Sequence, residues 1–154
     1  MELLPLLLVL PILLWIAWTD FWSLRIRNVA VIAAGAVFVL TAPLIGWEEA
    51  GLRLLVAGLV FGAGVALFAA RLLGGGDVKM GAALLLFIPT GTYTLFAFLF
   101  SAALILAIAV VVVLRQVPGL RRAGPVSLRA KGTVPMGLAF GLSGLLHLGV
   151  LAAS

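Results

Sequence analysis

The chain has 154 residues, 65% of them hydrophobic and 10% charged, with a mean hydropathy of +1.35. Soluble domains are nearer half apolar and about a quarter charged, so this composition belongs to the membrane class. The net charge is +5, but no basic patch with interleaved aromatics exists to bind nucleic acid, and with no cysteine there are no disulfides, thiolate zinc sites or cysteine nucleophiles.

The first apolar run, after Met1-Glu2-Leu3-Leu4-Pro5, lacks a basic stretch before it and leads into Trp15, Trp18, Asp20 and Trp22. That pattern reads as a retained first span with an interfacial belt rather than a cleaved signal peptide. Six apolar segments follow in order: Leu3–Thr19, Val29–Gly46, Gly51–Leu72, Asp77–Thr90, Thr92–Leu114 and Thr133–Ala152. The fourth is short against the ~20 residues that cross a ~30 Å hydrocarbon core upright. Charge argues that it crosses nonetheless. With the N-terminus outside and six crossings, Arg25, Arg27, Arg71, Lys79, Arg115, Arg121, Arg122, Arg129 and Lys131 fall on the cytoplasmic side, and only Arg53 falls outside, with Glu2, Glu48 and Glu49. The expectation is one all-α domain over residues 1–154: a polytopic bundle of six transmembrane helices with both termini outside. The loop Arg115–Gly132 reads as a solvated cytoplasmic segment against anionic lipid heads. Gly58, Gly62 and Ala66, four apart, read as a close helix-packing face.

The chain holds two aspartates, Asp20 ending the first span and Asp77 opening the fourth, both at the cytoplasmic side. Ionisable residues at apolar helices are costly and mark candidate functional sites. An N-cap role would suit Asp77, whereas a carboxylate at a helix C-terminus, where Asp20 falls, is disfavoured by the dipole. Held close, two carboxylates share a proton, so one can activate water while the other polarises a carbonyl and protonates the leaving group. That chemistry needs neither metal nor cofactor. Gly74-Gly75-Gly76 before Asp77 permits close backbone approach, either for an extended substrate strand or for a tight interhelical turn.

Gly74-Gly75-Gly76-Asp77-Val78-Lys79-Met80 resembles the G-x-G-D-x-K-[LM] signature of the type IV prepilin peptidase family of membrane aspartic peptidases. Asp20 through Arg25-Ile26-Arg27-Asn28 resembles that family's first motif, and Val134-Pro135-Met136-Gly137 its last-span motif. The resemblance implies Asp20 and Asp77 as the catalytic pair, supported by Gly74, Gly76, Lys79, Asn28, Pro135 and Gly137. It implies an enzyme in the inner or plasma membrane that removes the leader of pilin-like precursors at the cytoplasmic face. Arg27 stands where the family has Pro and Met136 where an aromatic is common, departures that bear on substrate preference. The short cysteine-free stretch Phe21–Arg27 resembles the peptidase-only branch that serves Flp-type pili or pseudopilins.

Lys79 either tunes Asp77 or snorkels to the interface. His147, in the outer half of the last span, reads as a hydrogen-bonded helix contact away from both acids. Two rival functions are a small proton- or cation-coupled transporter using the two aspartates, and an inactive assembly scaffold. Transport sites favour the midplane of pseudo-symmetric halves, which this sequence does not show, and intact acids argue against a scaffold.

Overall fold

The computed structural model describes residues 3–130 and 133–153; Glu2, Lys131 and Gly132, to which the charge argument and the basic loop extend, lie outside the described residues. Among the described residues there are eight α-helices and no strand: α1 (Leu4–Ser23), α2 (Asn28–Ile45), α3 (Trp47–Ala69), α4 (Gly75–Leu85), α5 (Tyr93–Arg115), α6 (Pro118–Ala123), α7 (Val126–Arg129) and α8 (Met136–Ala153). A single 3-10 turn, Thr90–Thr92, precedes α5. Helices α1, α2, α3, α8 and the stretch Thr90–Arg115 are long and apolar enough to cross a membrane; α4 is not.

These helices are apolar all round, so burial rather than polarity marks their inner faces. On α1 the buried positions include Leu6, Val9, Leu13, Ile16 and Asp20, with Pro5 and Ala17 beside them. The stripe from Leu6 to Asp20 steps by three and four residues, the spacing of one helix face. Asp20 continues the core stripe, while Trp15, Trp18 and Trp22 face outward. Helix α1 runs past the expected end of the first span, through Ser23, and stops at Leu24, whose backbone is left-handed (φ 50°) and whose amide bonds back to the Asp20 carbonyl.

The most extensive packing is between α1 and α8. Lipid offers apolar side chains as good an environment as another helix does, so close contact in a membrane depends on small residues that let backbones approach. Here they are Gly137, Gly141 and Gly144 on α8. A methyl group on Gly141 would stand 3.0 Å from Ala17 Cβ and 3.3 Å from the Leu13 carbonyl, and one on Gly144 would stand 2.7 Å from Leu13 Cδ1. The expected packing face on α3 is a correction. Gly58 and Gly62 have nothing within 4 Å, and Ala66 is exposed. In α3 the glycine that packs is Gly64, where a methyl group would meet Val78 Cγ1 at 2.6 Å.

Helix α4 touches α2, α3 and α8, and Val78, Met80, Ala82, Ala83 and Leu84 are all buried. Its 11 residues cover only about 16 Å at 1.5 Å per residue. Leu86, Phe87, Ile88 and Pro89 complete the run to Thr90, which meets Glu49 near the start of α3, the end of the bundle opposite Asp77. Non-helical backbone at membrane depth is tolerated where protein covers it and its polar groups are satisfied. Here the stretch is covered and its amides are satisfied. Residues 86–89 are buried, the amides of Leu86, Phe87 and Ile88 bond three residues back, Pro89 has no amide to satisfy, and the Thr90 amide donates to Glu49 Oε1 at 2.9 Å.

The same end holds a buried polar cluster. Arg53, fully buried, donates from Nε to Glu49 Oε1 at 2.8 Å, the sole ion pair among the described residues. Thr92 donates its hydroxyl to the Pro89 carbonyl at 2.9 Å, so in its 3.1 Å contact with His147 Nε2 the ring nitrogen is the donor. His147 also stands edge-on to Phe96.

Candidate active site

At the other end of the bundle, where α1 ends and α2, α4 and α8 begin, an open cleft of about 850 Å³ contains both aspartates. It lies at the upper end of ordinary ligand pockets, roughly 300–1,000 Å³. Its walls are Asp20 and Leu24 to Val29 on one side, Gly74 to Asp77 on another, and Thr133 and Val134 on a third.

Asp20 reaches this cleft because the core stripe of α1 ends there. The side chain is only 4% exposed, and its Oδ2 accepts the amide of Gly137 at 2.7 Å. Gly137 lies in the first turn of α8, where amides have no intrahelical partner and the dipole favours negative charge. The disfavoured position at the C-terminus of α1 is thus offset by the N-terminus of another helix.

Asp77 is the third residue of α4, not its N-cap; Gly74 holds the cap position. The Asp77 carboxylate turns back to the Gly74 amide, the geometry in which a third-residue acid satisfies the cap's own N–H. Asp77 is half-buried and close enough to Asp20 for the two charges to interact.

The glycine run has an intramolecular reason. A methyl group on Gly76 would lie 3.1 Å from Ile26 Cβ and 3.5 Å from the Ile26 carbonyl, and one on Gly74 would lie 2.6 Å from Asp77 Oδ2. Gly76 therefore lets α4 start directly against the Leu24–Arg27 connection, and the faces left over line the cleft. Lys79 donates to Asn28 Oδ1 at 3.1 Å, joining α4 to the first residue of α2. Pro135 is buried and leads into α8.

Of the residues singled out from the sequence, Asp20, Asp77, Gly74, Gly76 and Asn28 line one cleft. Lys79 and Gly137 touch the residues that do, and Pro135 directly follows the wall. His147 belongs to the far end of the bundle. Sequence reasoning missed Ile26 as the seat of Gly76, and missed the order in the basic segment. Its described part is not wholly a solvated loop: it contains α6 and α7, and Ser127 and Leu128 are buried while residues 116–120 are exposed. Buried small and apolar residues between the arginines were the available signal.

Comparison with curated proteins and with solved structures finds no match. A family model does match. It is that of the type IV leader peptidase family, over residues 7–112, a stretch that includes both aspartates, Asn28 and the glycine run and ends before Pro135 and Gly137. Given apolar helices fit to span a bilayer and a match over most of its length, the chain is a multi-pass membrane protein that belongs to the type IV leader peptidase family.

Proposed function

We propose that the protein is an aspartic endopeptidase that removes the leader of pilin-like precursors, of the Flp or pseudopilin kind, at the cytoplasmic membrane face. The observation that carries this reading is the convergence of the chain's two aspartates, 57 positions apart in sequence (77 less 20), on one open cleft. One carboxylate, ionised, takes a proton from a water that attacks the scissile carbonyl. The other, protonated, polarises the carbonyl oxygen and passes its proton to the departing nitrogen. Two acids sharing one site hold one proton between them, which supplies both forms in each turnover. The cleft's openness suits a chain passing through it rather than a small molecule enclosed by it.

In this reading the six end-to-end legs of the bundle are six crossings, with α4 and residues 86–92 forming the fourth. Both termini lie outside, and Asp20 and Asp77 lie at the cytoplasmic surface of the inner or plasma membrane beside Arg25 and Arg27. Gly74, Gly76, Asn28, Lys79, Pro135 and Gly137 hold the dyad's frame.

The test is co-expression with pilin precursors from the same genome, in a strain without other such peptidases, scored by a size shift on a gel. Asp20→Asn and Asp77→Asn should each abolish cleavage at unchanged expression, and the double substitution should be no worse than either, because groups acting as a unit are non-additive. Substantial cleavage by either single variant would overturn the dyad and bring the transporter and scaffold readings forward.

A further inference from the structure

One side chain bonds to two points of the connection between α5 and α8. Helix α7 lies against both α1 and α5. Arg115, the last residue of α5 and half-buried, donates from Nη2 to the Ser127 carbonyl at 2.6 Å and to the Thr133 carbonyl at 2.6 Å. Its Nε makes a further bond to Ser127 at 3.2 Å. Both hydrogens of one nitrogen are used, with a third from the same plane. That is the rigid fork of a guanidinium, which a lysine ammonium does not reproduce.

What Arg115 grips matters more than how. Thr133 and the next residue, Val134, are one wall of the cleft. Pro135 follows, buried, with its φ fixed by the ring, and its carbonyl accepts the Leu138 amide at 3.3 Å. Met136 opens α8, and the Gly137 amide sits on Asp20. From the carbonyl that Arg115 holds to the amide that holds Asp20 is therefore one short, stiffened stretch. Arg115 itself is not among the residues lining the cleft.

We propose that Arg115 is a positioning residue of the active site. It fixes the Thr133–Pro135 wall and, through it, the register of the Gly137 amide on Asp20. The catalytic consequence rests on the peptidase reading above; the positional one does not. The competing role is a cytoplasmic anchor that needs only a positive charge near lipid phosphates.

Two measurements on the full-length protein separate these. In kinetics with a precursor that the wild type cleaves, Arg115→Ala should lower kcat about 10- to 100-fold, the scale of an ångström-level misplacement, with KM within about threefold. Arg115→Lys should recover only part of that loss. Because the chain has no cysteine, Val134→Cys provides a single thiol for N-ethylmaleimide. Removing Arg115 in that background should speed its modification several-fold, with lysine intermediate. Should Arg115→Ala fail to accumulate in membranes, Arg115→Lys carries both measurements, and a loss of kcat with faster labelling is the supporting result. Full recovery by lysine, an effect on KM alone, or unchanged labelling in both variants would each overturn the proposal. If the wild type cleaves no precursor, the peptidase reading fails by itself, while the labelling contrast still decides the positional claim.

Discussion

Gly137 donates its amide to the carboxylate of Asp20 at 2.7 Å across 117 positions of sequence. Nothing but a hydrogen fits on Gly137 Cα toward α1. A methyl group would stand 2.6 Å from Asp20 Cβ, 3.0 Å from Asp20 Oδ2 and 3.0 Å from the Ile16 carbonyl.

Gly137→Ala should therefore push α8 away from α1 and break the bond it was placed to make. Forcing a methyl into a packed contact costs about 1–3 kcal/mol, and moving a reacting group by an ångström costs up to about 100-fold in rate. Cleavage should fall well below what the protein's membrane level explains, as read by precursor processing normalised to immunoblot. Near-normal processing would mean that the Gly137 amide is dispensable.

Gly76→Val tests the seat on Ile26. With Ile26 Cβ only 3.1 Å from the site of a methyl group, a β-branched side chain has no room for either γ-carbon. Insertion should survive because α4 is flanked by longer helices, while cleavage should drop by about tenfold or more. Gly76→Ala should lie between. Equal activity of all three proteins would return this glycine to a simple turn residue.

Reporter fusions at Gly124 should read as cytoplasmic, and fusions near Glu49 and after Ser154 as external, following the distribution of basic residues. Thr90 lies at the Glu49 end of the bundle, so α4 and the buried turns after it must carry the chain across for this outcome. An external signal at Gly124 would remove the fourth crossing.

The far end of the bundle should govern stability rather than chemistry. Arg53 is fully buried and pairs with a Glu49 carboxylate that also caps the Thr90 turn. Removing one partner of a buried pair leaves an uncompensated charge, at about 3–5 kcal/mol. Glu49→Ala should thus lower the thermal midpoint in detergent more than Glu49→Ala combined with Arg53→Met. His147→Ala should leave kcat unchanged in the protein that remains folded. Greater damage from the double change would show that Arg53 has a second partner of its own.

The glycines of α3 offer a contrast within one helix. Gly58→Ala and Gly62→Ala meet open space and should be neutral or stabilising by up to ~1 kcal/mol, the helix-propensity difference. Gly64→Ala meets Val78 at 2.6 Å and should destabilise. Thermal melts of the three variants decide it.

Apolar runs, basic-residue bias and the two aspartates made the helical class and the candidate pair legible from the sequence, because length and charge are one-dimensional quantities. Facing is not. On α1 almost every residue is apolar, so nothing in the pattern separates the buried Leu13 and Ile16 from the exposed Leu14 and Trp15. Gly58, Gly62 and Ala66, spaced four and four, are as compatible with a packing stripe as Gly137, Gly141 and Gly144, spaced four and three, yet only the second set has a helix against it. Such spacing states that a close approach is feasible, and the partner is a property of the whole bundle. Arg115 was counted among charges of a loop because its two carbonyl partners are backbone, which no side-chain pattern announces.

The pairing of Asp20 with Gly137 also sets a clock. A ribosome adds roughly 5–20 residues per second, so α1 is made and inserted many seconds before the amide that its aspartate requires. By the later part of that interval the chain carries Asp20, Asp77 and two of the cleft's three walls, but α1 has no α8 to hold it. On the proposed peptidase reading, cleavage competence would be acquired late in synthesis, when α8 enters the membrane and closes on α1. On that same reading a nascent or truncated copy lacking α8 should be inert, and supplying α8 as a separate segment should switch it on.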